Sequence, residues 1–456
     1  PVGFPDIFYD EGIYMSRAMN FLDTGNPQES FLYDHPYFGQ ILLGGMMWIT
    51  NFPNSVDTDT DSESLQQLYL TPRIFMGLLA VLDTFLIYKI AYTRYGRNVA
   101  IISAVLFAVM PFSWVFKRIL LDSLLLPFLL ASILFALKAK QRTNPSVMIK
   151  LSGIMLGLSI FTKIPAFVFA VLIGWIVFGC RKKIYDIGVW LVPVFIIPSI
   201  WLVYVIAQND FDLWLRDVLW HTQRESIGLY IAKYFSDIDP VLFGLGIAGI
   251  AYSAYRKDMF VLLWTFPMIL FLGTVGFTQY FHWIPLIPIF CIAGAILIVK
   301  SLEKIPKHTQ KLLFSSILFL VVFGLASTIP LLATDMSYSQ FQAMSFVLND
   351  VDTENATILA SPVYAWVFDY YGLDNVMLDY SIILFEEPQT DKVLLVADRH
   401  YTIDLSRGPE LQELYDETDS MVVFENSISD YDTWIYPYGS LKFNMEGSVI
   451  DVRISD

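Results

Sequence analysis

The sequence is poor in the residues and motifs on which many soluble enzymes and secreted scaffolds depend. It has two cysteines, Cys180 and Cys291, and both lie in apolar stretches, so the chain has no disulfide framework and no CxxC metal site. It contains no P-loop, and its GxGxxG match, Gly244–Gly249, lies inside an apolar stretch rather than at a strand-to-helix turn, which argues against the common nucleotide-binding loops. It also has no internal repeat, which excludes a solenoid.

Long apolar stretches are what the sequence has in abundance. More than half of its residues are hydrophobic (55%), and a run of about 20 apolar residues crosses a bilayer as a helix. The pattern therefore predicts a polytopic α-helical membrane protein with about ten spans. The ten stretches are residues 72–92, 98–112, 119–137, 148–162, 164–180, 185–206, 239–255, 258–276, 283–300 and 311–332.

Basic residues collect in every second loop between these stretches, for example at Arg181–Lys183 and at Arg256–Lys257. Because loops rich in Lys and Arg stay in the cytoplasm, the alternation predicts that the N-terminal segment and the C-terminal tail are external. An external N-terminus on such a protein normally follows a span. We therefore expect one further helix before Pro1.

Charge divides the chain into two expected domains. Residues 331–456 hold 23 Asp and Glu but 5 Lys and Arg, whereas the remainder is close to neutral. We expect a membrane domain over 1–333, with outer loops at 1–70 and 207–238, and a small acidic external α/β domain over 334–456. An acidic surface of this kind repels nucleic acid, so we expect no nucleic-acid partner.

Two outer loops contain stretches that are typical of helices lying in the membrane interface. Phe38 to Phe52 is apolar but short for a span, and it is bounded by Pro36 and Pro53. Residues 211–220 carry an apolar and aromatic face with helical spacing.

Two short acidic motifs precede the first span. Asp10 and Glu11 are catalytic candidates, because an external carboxylate beside the membrane can accept a proton from an acceptor hydroxyl. The alternative is a pair of acids at a helix N-terminus. Asp34 and His35 can orient a phosphate or hold a metal, with an ordinary turn as the alternative.

Basic residues and histidines at the expected outer boundary form a second group of candidates. Cations there run against the positive-inside trend and need a partner, for which a lipid phosphate is suited, whereas snorkelling to the interface is the alternative. We expect the donor phosphate or substrate to contact Asp34, His35, Lys117, Arg118, Lys163, Arg224 and His282. A divalent metal held by Asp34 and His221 is a further prediction.

In order along the chain, these motifs resemble the membrane glycosyltransferases of the GT-C class, in particular the protein O-mannosyltransferase and lipid A aminoarabinose transferase branches. The segment Asp10–Tyr14 resembles the family's first outer loop, and Tyr33–Pro36 resembles its second motif. Later segments resemble family patterns too: Arg118–Asp122, Gly157–Lys163 and Tyr280–Pro288.

The resemblance implies a polyprenyl-phosphate sugar donor, an external active site and inversion at the anomeric carbon. By resemblance, Asp10 is the catalytic base, and Asp34 is the second-motif acid, which in one branch binds a metal with a later histidine. The family's second-motif lysine is replaced here by His35. The implied acceptor is a hydroxyl on a protein, a glycan or a lipid.

Two other classes of protein share many of these features. A transporter would line its path with intramembrane charges, although the absence of repeat symmetry argues against one. A noncatalytic GT-C-like subunit of a membrane or cell-envelope complex would have nearly the same sequence pattern.

Overall fold

The structure is a computed structural model of the 456-residue chain. It describes residues 7–28, 33–56, 59–113, 118–223, 231–275, 280–304, 309–333, 335, 337–378, 388, 390, 392–398, 409–425 and 449–455.

The described part of the chain is mainly helical. Its helices are α1 Tyr9–Thr24, α2 Phe38–Ile49, α3 Ser62–Tyr95, α4 Arg97–Val109, α5 Leu121–Ala139, α6 Ser146–Thr162, α7 Ala170–Arg181, α8 Ile184–Gln208, α9 Phe211–Gln223, α10 Ile231–Ile238, α11 Pro240–Tyr255, α12 Met259–Thr274, α13 Ile287–Leu302, α14 Thr309–Ala333, α15 Tyr338–Asp350, α16 Pro362–Tyr370 and α17 Pro409–Glu417. Two 3₁₀ segments, Ile164–Phe169 and Tyr280–Leu286, lead into α7 and α13.

Each of the ten apolar stretches predicted from the sequence overlaps a helix over most of its length. Among the residues that the structure describes, six helical segments are long and apolar enough to cross a membrane: Ser62–Tyr95, Leu121–Ala139, Ile164–Arg181, Ile184–Gln208, Phe281–Leu302 and Gln310–Ile329. The remaining four stretches form the shorter apolar helices α4, α6, α11 and α12. The prediction of a multi-pass helical membrane protein is therefore confirmed.

The strands near the C-terminus form one mixed sheet. They are β1 Ala356–Ala360, β2 Val376–Met377, β3 Lys392–Asp398, β4 Asp419–Glu425 and β5 Val449–Ile454. Their order is β2-β1-β3-β5-β4, in which β1 runs parallel to both neighbours and β5 runs antiparallel to both of its own.

The predicted small α/β region at the C-terminus is therefore confirmed. The largely apolar runs that begin at Ala356 and Lys392 are a pattern typical of buried strands, and they form β1 and β3, which are buried as expected of strands covered on both faces. The sequence interpretation missed α16, β2 and β5.

Contacts divide the chain into two compact units that do not follow a single cut in the sequence. The first contains Pro1–Pro27, Gln40–Phe75 and Ile329–Asp456, and the second contains Gln28–Gly39 and Met76–Thr328. We call them the sheet unit and the helical unit. The predicted domain boundary at 333/334 stays a prediction.

In the sheet unit, α1 packs against the sheet. Tyr9 shares a buried apolar cluster with Leu359 of β1 and Leu395 of β3. Gly12 allows α1 to approach α16 closely, because a Cβ there would lie 2.3 Å from the carbonyl carbon of Pro362. The helix ends at Gly25, whose φ of 73° is a conformation that glycine adopts without strain.

In the helical unit, small residues let neighbouring helices pack closely, as in other membrane bundles. Gly153 and Gly157 of α6 face the backbone of α8, where added Cβ atoms would lie 2.4 Å and 2.6 Å from the carbonyl oxygens of Trp190 and Pro193. Ser132 of α5 donates a hydrogen bond to the Ser152 carbonyl at 2.7 Å. The helices α5, α6 and α8 therefore form a tightly packed group.

Both predicted interfacial segments contain helices, α2 and α9. Their location in the membrane interface stays a prediction.

Candidate functional site

The acidic pair Asp10-Glu11 lies in the first turn of α1, and its two members have different surroundings. Asp10 is half-buried, whereas Glu11 is completely buried. Arg73 of α3 donates two hydrogen bonds to Glu11, from Nε to Oε2 at 2.9 Å and from Nη2 to Oε1 at 2.7 Å. Glu11 also accepts a bond from the backbone N–H of Phe8 at 3.1 Å, which caps the start of the helix.

The neighbouring part of α3 is held to α16 by a second polar contact. Tyr69 donates to the carbonyl of Val363 at 2.8 Å, and its hydroxyl accepts from the indole N–H of Trp366 at 2.6 Å. All three residues and the Glu11–Arg73 pair belong to the sheet unit. The start of α1 is therefore fixed by polar contacts on α3 and by close packing on α16.

Because their surroundings differ, the Asp10 and Glu11 carboxylates are suited to different roles. A buried carboxylate held by a bidentate arginine has its lone pairs occupied, and removing its charge leaves a buried cation uncompensated. Asp10 is the second residue of α1 and is partly exposed to solvent. A general base needs such exposure, because it must come within hydrogen-bond distance of the acceptor hydroxyl.

The second motif, Tyr33-Asp34-His35-Pro36, lies in the helical unit. Tyr33 is buried, and its backbone N–H donates to Oδ2 of Asp217 at 2.7 Å, while its hydroxyl donates to Oδ2 of Asp210 at 2.6 Å. Burial, followed by the hydrogen bond and charge of Asp210, raises the pKa of Tyr33, so this side chain stays a neutral donor.

Aromatic residues after the motif pack on α5, α6 and α8, near the C-terminal ends of the last two. Tyr37 lies edge-on to Phe161 of α6 and Tyr204 of α8, each with a 5.1 Å centroid distance. Phe38 stacks on Phe161 at 5.5 Å and lies 5.7 Å from Phe128 of α5. Between these anchors, Asp34 and His35 are half-buried.

A buried ion pair lies next to the same helix ends. Lys163, which follows α6, donates to Oδ2 of Asp122 in α5 at 2.5 Å, and both residues are almost fully buried. The Lys163 ammonium also lies 5.2 Å from the centre of the Phe281 ring, within the range of a cation–π contact.

Gly39 connects the second motif to this ion pair. A Cβ on Gly39 would lie 2.3 Å from Leu121 Cδ2 and 3.3 Å from Thr162 Cγ2, and these two residues directly precede Asp122 and Lys163. The structure thus brings the predicted residues Asp34, His35 and Lys163 into one region of the helical unit. His282 belongs to the segment that places Phe281 against Lys163, and it is half-buried. Arg118 is buried four residues before Asp122.

Three predicted site residues cannot be placed. Lys117 and Arg224 lie outside the described residues, and so does the side chain of His221, although its backbone belongs to α9. Within the described part, no three His, Cys, Asp or Glu residues lie together as metal ligands would. The metal site of Asp34 and His221 stays a prediction.

Sequence interpretation missed the roles of four residues in these sites: Arg73 as the partner of Glu11, Asp122 as the partner of Lys163, and Asp210 and Asp217 as the anchors of Tyr33. The first two had a signal, because an arginine or an aspartate beside or within an apolar stretch requires a partner. The anchors had none, because Tyr33 and Asp217 are 184 positions apart.

Comparison with known proteins gives a family match over part of the chain. Residues 26–209 match the family described as dolichyl-phosphate-mannose-protein mannosyltransferase. A comparison with curated protein sequences gives no match.

Solved structures of low sequence identity share the fold over nearly the whole chain. ArnT from Cupriavidus metallidurans, bound to undecaprenyl phosphate, has a TM-score of 0.66 at 11% identity, with 98% of this chain and 94% of that chain covered. The apo oligosaccharyltransferase of Archaeoglobus fulgidus has a TM-score of 0.56 at 12% identity, with coverages of 89% and 67%.

AglB from Archaeoglobus fulgidus, in complex with an inhibitory peptide and a dolichol-phosphate, also has a TM-score of 0.56, at 13% identity, with coverages of 87% and 66%. These matches confirm the predicted GT-C fold and the predicted resemblance. Together with the family match, they indicate a glycosyltransferase that uses a lipid-linked sugar, as the sequence predicted, and they support a polyprenyl-phosphate donor.

Proposed function

We propose that the protein transfers a sugar from a polyprenyl-phosphate donor to an acceptor hydroxyl on the external face of the membrane, with Asp10 as the general base. The observation that carries this proposal is the difference between two adjacent acids: Glu11 is buried and held by Arg73, while Asp10 is half-buried on the same helical turn.

In the proposed reaction, the hydroxyl oxygen of the acceptor attacks the anomeric carbon from the face opposite the phosphate. The new C–O bond forms as the bond to the phosphate oxygen breaks. The hydroxyl proton passes to the Asp10 carboxylate, and the polyprenyl phosphate leaves with the bonding electron pair. The sugar is therefore transferred with inversion, and no redox step is involved.

We propose that residues of the helical unit bind the donor phosphate. An ammonium has three N–H donors, and Asp122 accepts one from Lys163. Cationic donors held in place stabilise the negative charge that develops on a leaving phosphate. Arg118, Asp34, His35 and His282 contribute to the same phosphate and sugar contacts in this proposal, as do Lys117 and Arg224.

The proposed acceptor is a hydroxyl of a protein, a glycan or a lipid. The matched family is described as a protein mannosyltransferase, and one structural neighbour was solved with a peptide, so a protein hydroxyl with mannose as the sugar is the first combination to test. The external face rests on the alternation of basic loops.

The experiment is a transfer assay with the protein reconstituted in lipid vesicles. A polyprenyl-phosphate sugar and a nucleotide sugar are supplied separately with a hydroxyl-bearing peptide. We expect product from the lipid-linked donor alone, with inverted anomeric configuration. Transfer from the nucleotide sugar, or a retained configuration, would contradict the proposal. No product with any lipid-linked sugar would favour the noncatalytic subunit.

The orientation is tested separately. Protease added to intact cells should release the tail beyond residue 333. Cleavage that requires lysis would place the tail on the cytoplasmic side, which would contradict the proposed external site.

A further inference from the structure

The contacts of Tyr33 assign a function to α9, which lies in the long loop between α8 and α11, and to Asp210, which directly precedes it. We propose that Asp210 and Asp217 are positioning residues, which hold the second motif so that Asp34 and His35 meet the phosphate-linked sugar of the donor. This inference rests on the proposed function and adds two residues that do not themselves touch the substrate.

The two carboxylates hold Tyr33 at two different points. Asp217 accepts the backbone N–H at 2.7 Å and therefore fixes the chain direction into Asp34. Asp210 accepts the phenol hydroxyl at 2.6 Å and therefore fixes the ring. Hydrogen bonds to an ionised acceptor are about twice as strong as neutral ones, and Tyr33 (1% exposed) and Asp217 (4% exposed) are shielded from competing water.

The Asp217 carboxylate is itself held in place. The other oxygen of Asp217 accepts from Arg216, from Nε at 3.0 Å and from Nη2 at 2.9 Å. The helix α9 rests on α8 through Trp214, whose ring lies edge-on to Trp201 at a centroid distance of 5.6 Å. Asp217 therefore belongs to a helix that packs on α8, and Asp210 directly precedes that helix.

The second motif is therefore held in place at both of its ends. Tyr33 is fixed to α9, and Tyr37 is fixed to α6 and α8 by ring contacts. Three residues lie between these two points, and the first two of them, Asp34 and His35, are the half-buried candidates for donor contact. A segment this short, held at both ends, has little conformational freedom to lose when a ligand binds.

A purely structural role for the anchors is the competing explanation, and it predicts different kinetics. Loss of a structural contact lowers the amount of folded protein and leaves the KM of the surviving enzyme unchanged. Loss of positioning raises the KM for the lipid donor in protein that is fully folded, because the motif must then be ordered during binding.

The test compares four variants in vesicles. Asp217→Ala removes the acceptor of the backbone N–H, and Asp217→Asn keeps an acceptor oxygen at nearly the same place. Tyr33→Phe removes the bond to Asp210 alone. Asp212→Ala is the matched control, because Asp212 is an exposed acid on the same helix.

Two readouts are measured on folded protein: the KM and kcat for a polyprenyl-phosphate sugar, and binding of polyprenyl phosphate itself. Loss of a charge-assisted bond corresponds to a change of about tenfold or more. We therefore expect about a tenfold rise in KM for Asp217→Ala, a smaller rise for Tyr33→Phe, partial rescue in Asp217→Asn and no change in Asp212→Ala.

A wild-type KM and wild-type lipid binding in both Asp217→Ala and Tyr33→Phe would overturn the inference. If Asp217→Ala does not fold, the KM of the Tyr33→Phe variant alone decides whether the inference holds. If the wild type transfers no sugar but binds polyprenyl phosphate, the proposed function fails. Weaker lipid binding by the variants then supports the anchoring alone, and unchanged binding overturns it as well.

Discussion

The sheet unit and the helical unit each contain a buried ion pair with a half-buried acid nearby, and the two pairs differ in geometry. In the sheet unit, Arg73 binds both oxygens of Glu11 through two nitrogens. In the helical unit, Lys163 binds one oxygen of Asp122 and also lies over the Phe281 ring.

This difference suggests different roles for the two pairs. A bidentate guanidinium–carboxylate contact fixes distance and angle, so it is suited to holding a helix in place. An ammonium on a flexible stem has further N–H donors that can turn toward a ligand. We therefore infer that Glu11–Arg73 positions α1, whereas Lys163 is available for phosphate binding.

The largest expected effect comes from breaking the pair in the sheet unit. Arg73→Met leaves Glu11 buried without its counter-ion, which typically destabilises by about 3–5 kcal/mol. The double variant Glu11→Met/Arg73→Met removes both charges and should recover most of the stability. If Glu11 acts through position alone, the double variant should also recover transfer.

Thermal unfolding in detergent and the transfer assay check this prediction together. Arg94→Met is the control on the same helix, because Arg94 is 38% exposed and its contact with Asp258 is long, at 3.4 Å. A loss of at most about 1 kcal/mol is expected there. A stable double variant without transfer would show that Glu11 has a chemical role of its own.

The Asp122–Lys163 pair in the helical unit should respond differently to the same set of single and double substitutions. Lys163→Met and Asp122→Leu are each expected to destabilise, and the double variant should recover stability because no buried charge remains. Transfer should stay lost in the double variant, since the proposed phosphate contact requires the ammonium. Wild-type kcat/KM in a folded double variant would remove Lys163 from the donor site.

A smaller effect is expected from packing at the α1–α16 crossing. Gly12→Ala places a Cβ 2.3 Å from the Pro362 carbonyl carbon, and overpacking of this kind costs about 1–3 kcal/mol. Gly45→Ala in α2 is the matched control, because nothing lies within 4 Å of its added Cβ. Equal melting temperatures for the two variants would contradict the close packing.

Much of the fold could be predicted from the sequence because its signals are local. Apolar length is enough to locate the ten helical stretches, and short continuous apolar runs such as 393–396 predict buried strands. The missed strand β5 follows a long separation from β3, and its alternation is short, so the sequence lacks a local signal for its pairing.

Less of the candidate site than of the fold could be predicted from the sequence. The motifs at Asp10 and Asp34 were identifiable because acids and aromatics occur together in the segment before the first long apolar stretch. The local pattern does not separate Asp10 from Glu11, since the two acids are adjacent, and only the resemblance singles out Asp10 as the base. The structural difference between them comes from Arg73, which is 62 positions away from Glu11 in the sequence.

The difference between these two acids is the central claim, and one pair of variants tests it most directly. Asp10→Asn and Glu11→Gln are nearly isosteric changes, and transfer from a polyprenyl-phosphate sugar is measured for both in vesicles, with binding of polyprenyl phosphate as the folding control. We expect Asp10→Asn to bind the lipid and lose about 10² to 10⁴ in kcat, as is typical when a general base is removed. We expect Glu11→Gln to lose stability and to retain more transfer than Asp10→Asn. Wild-type turnover by Asp10→Asn would contradict the account.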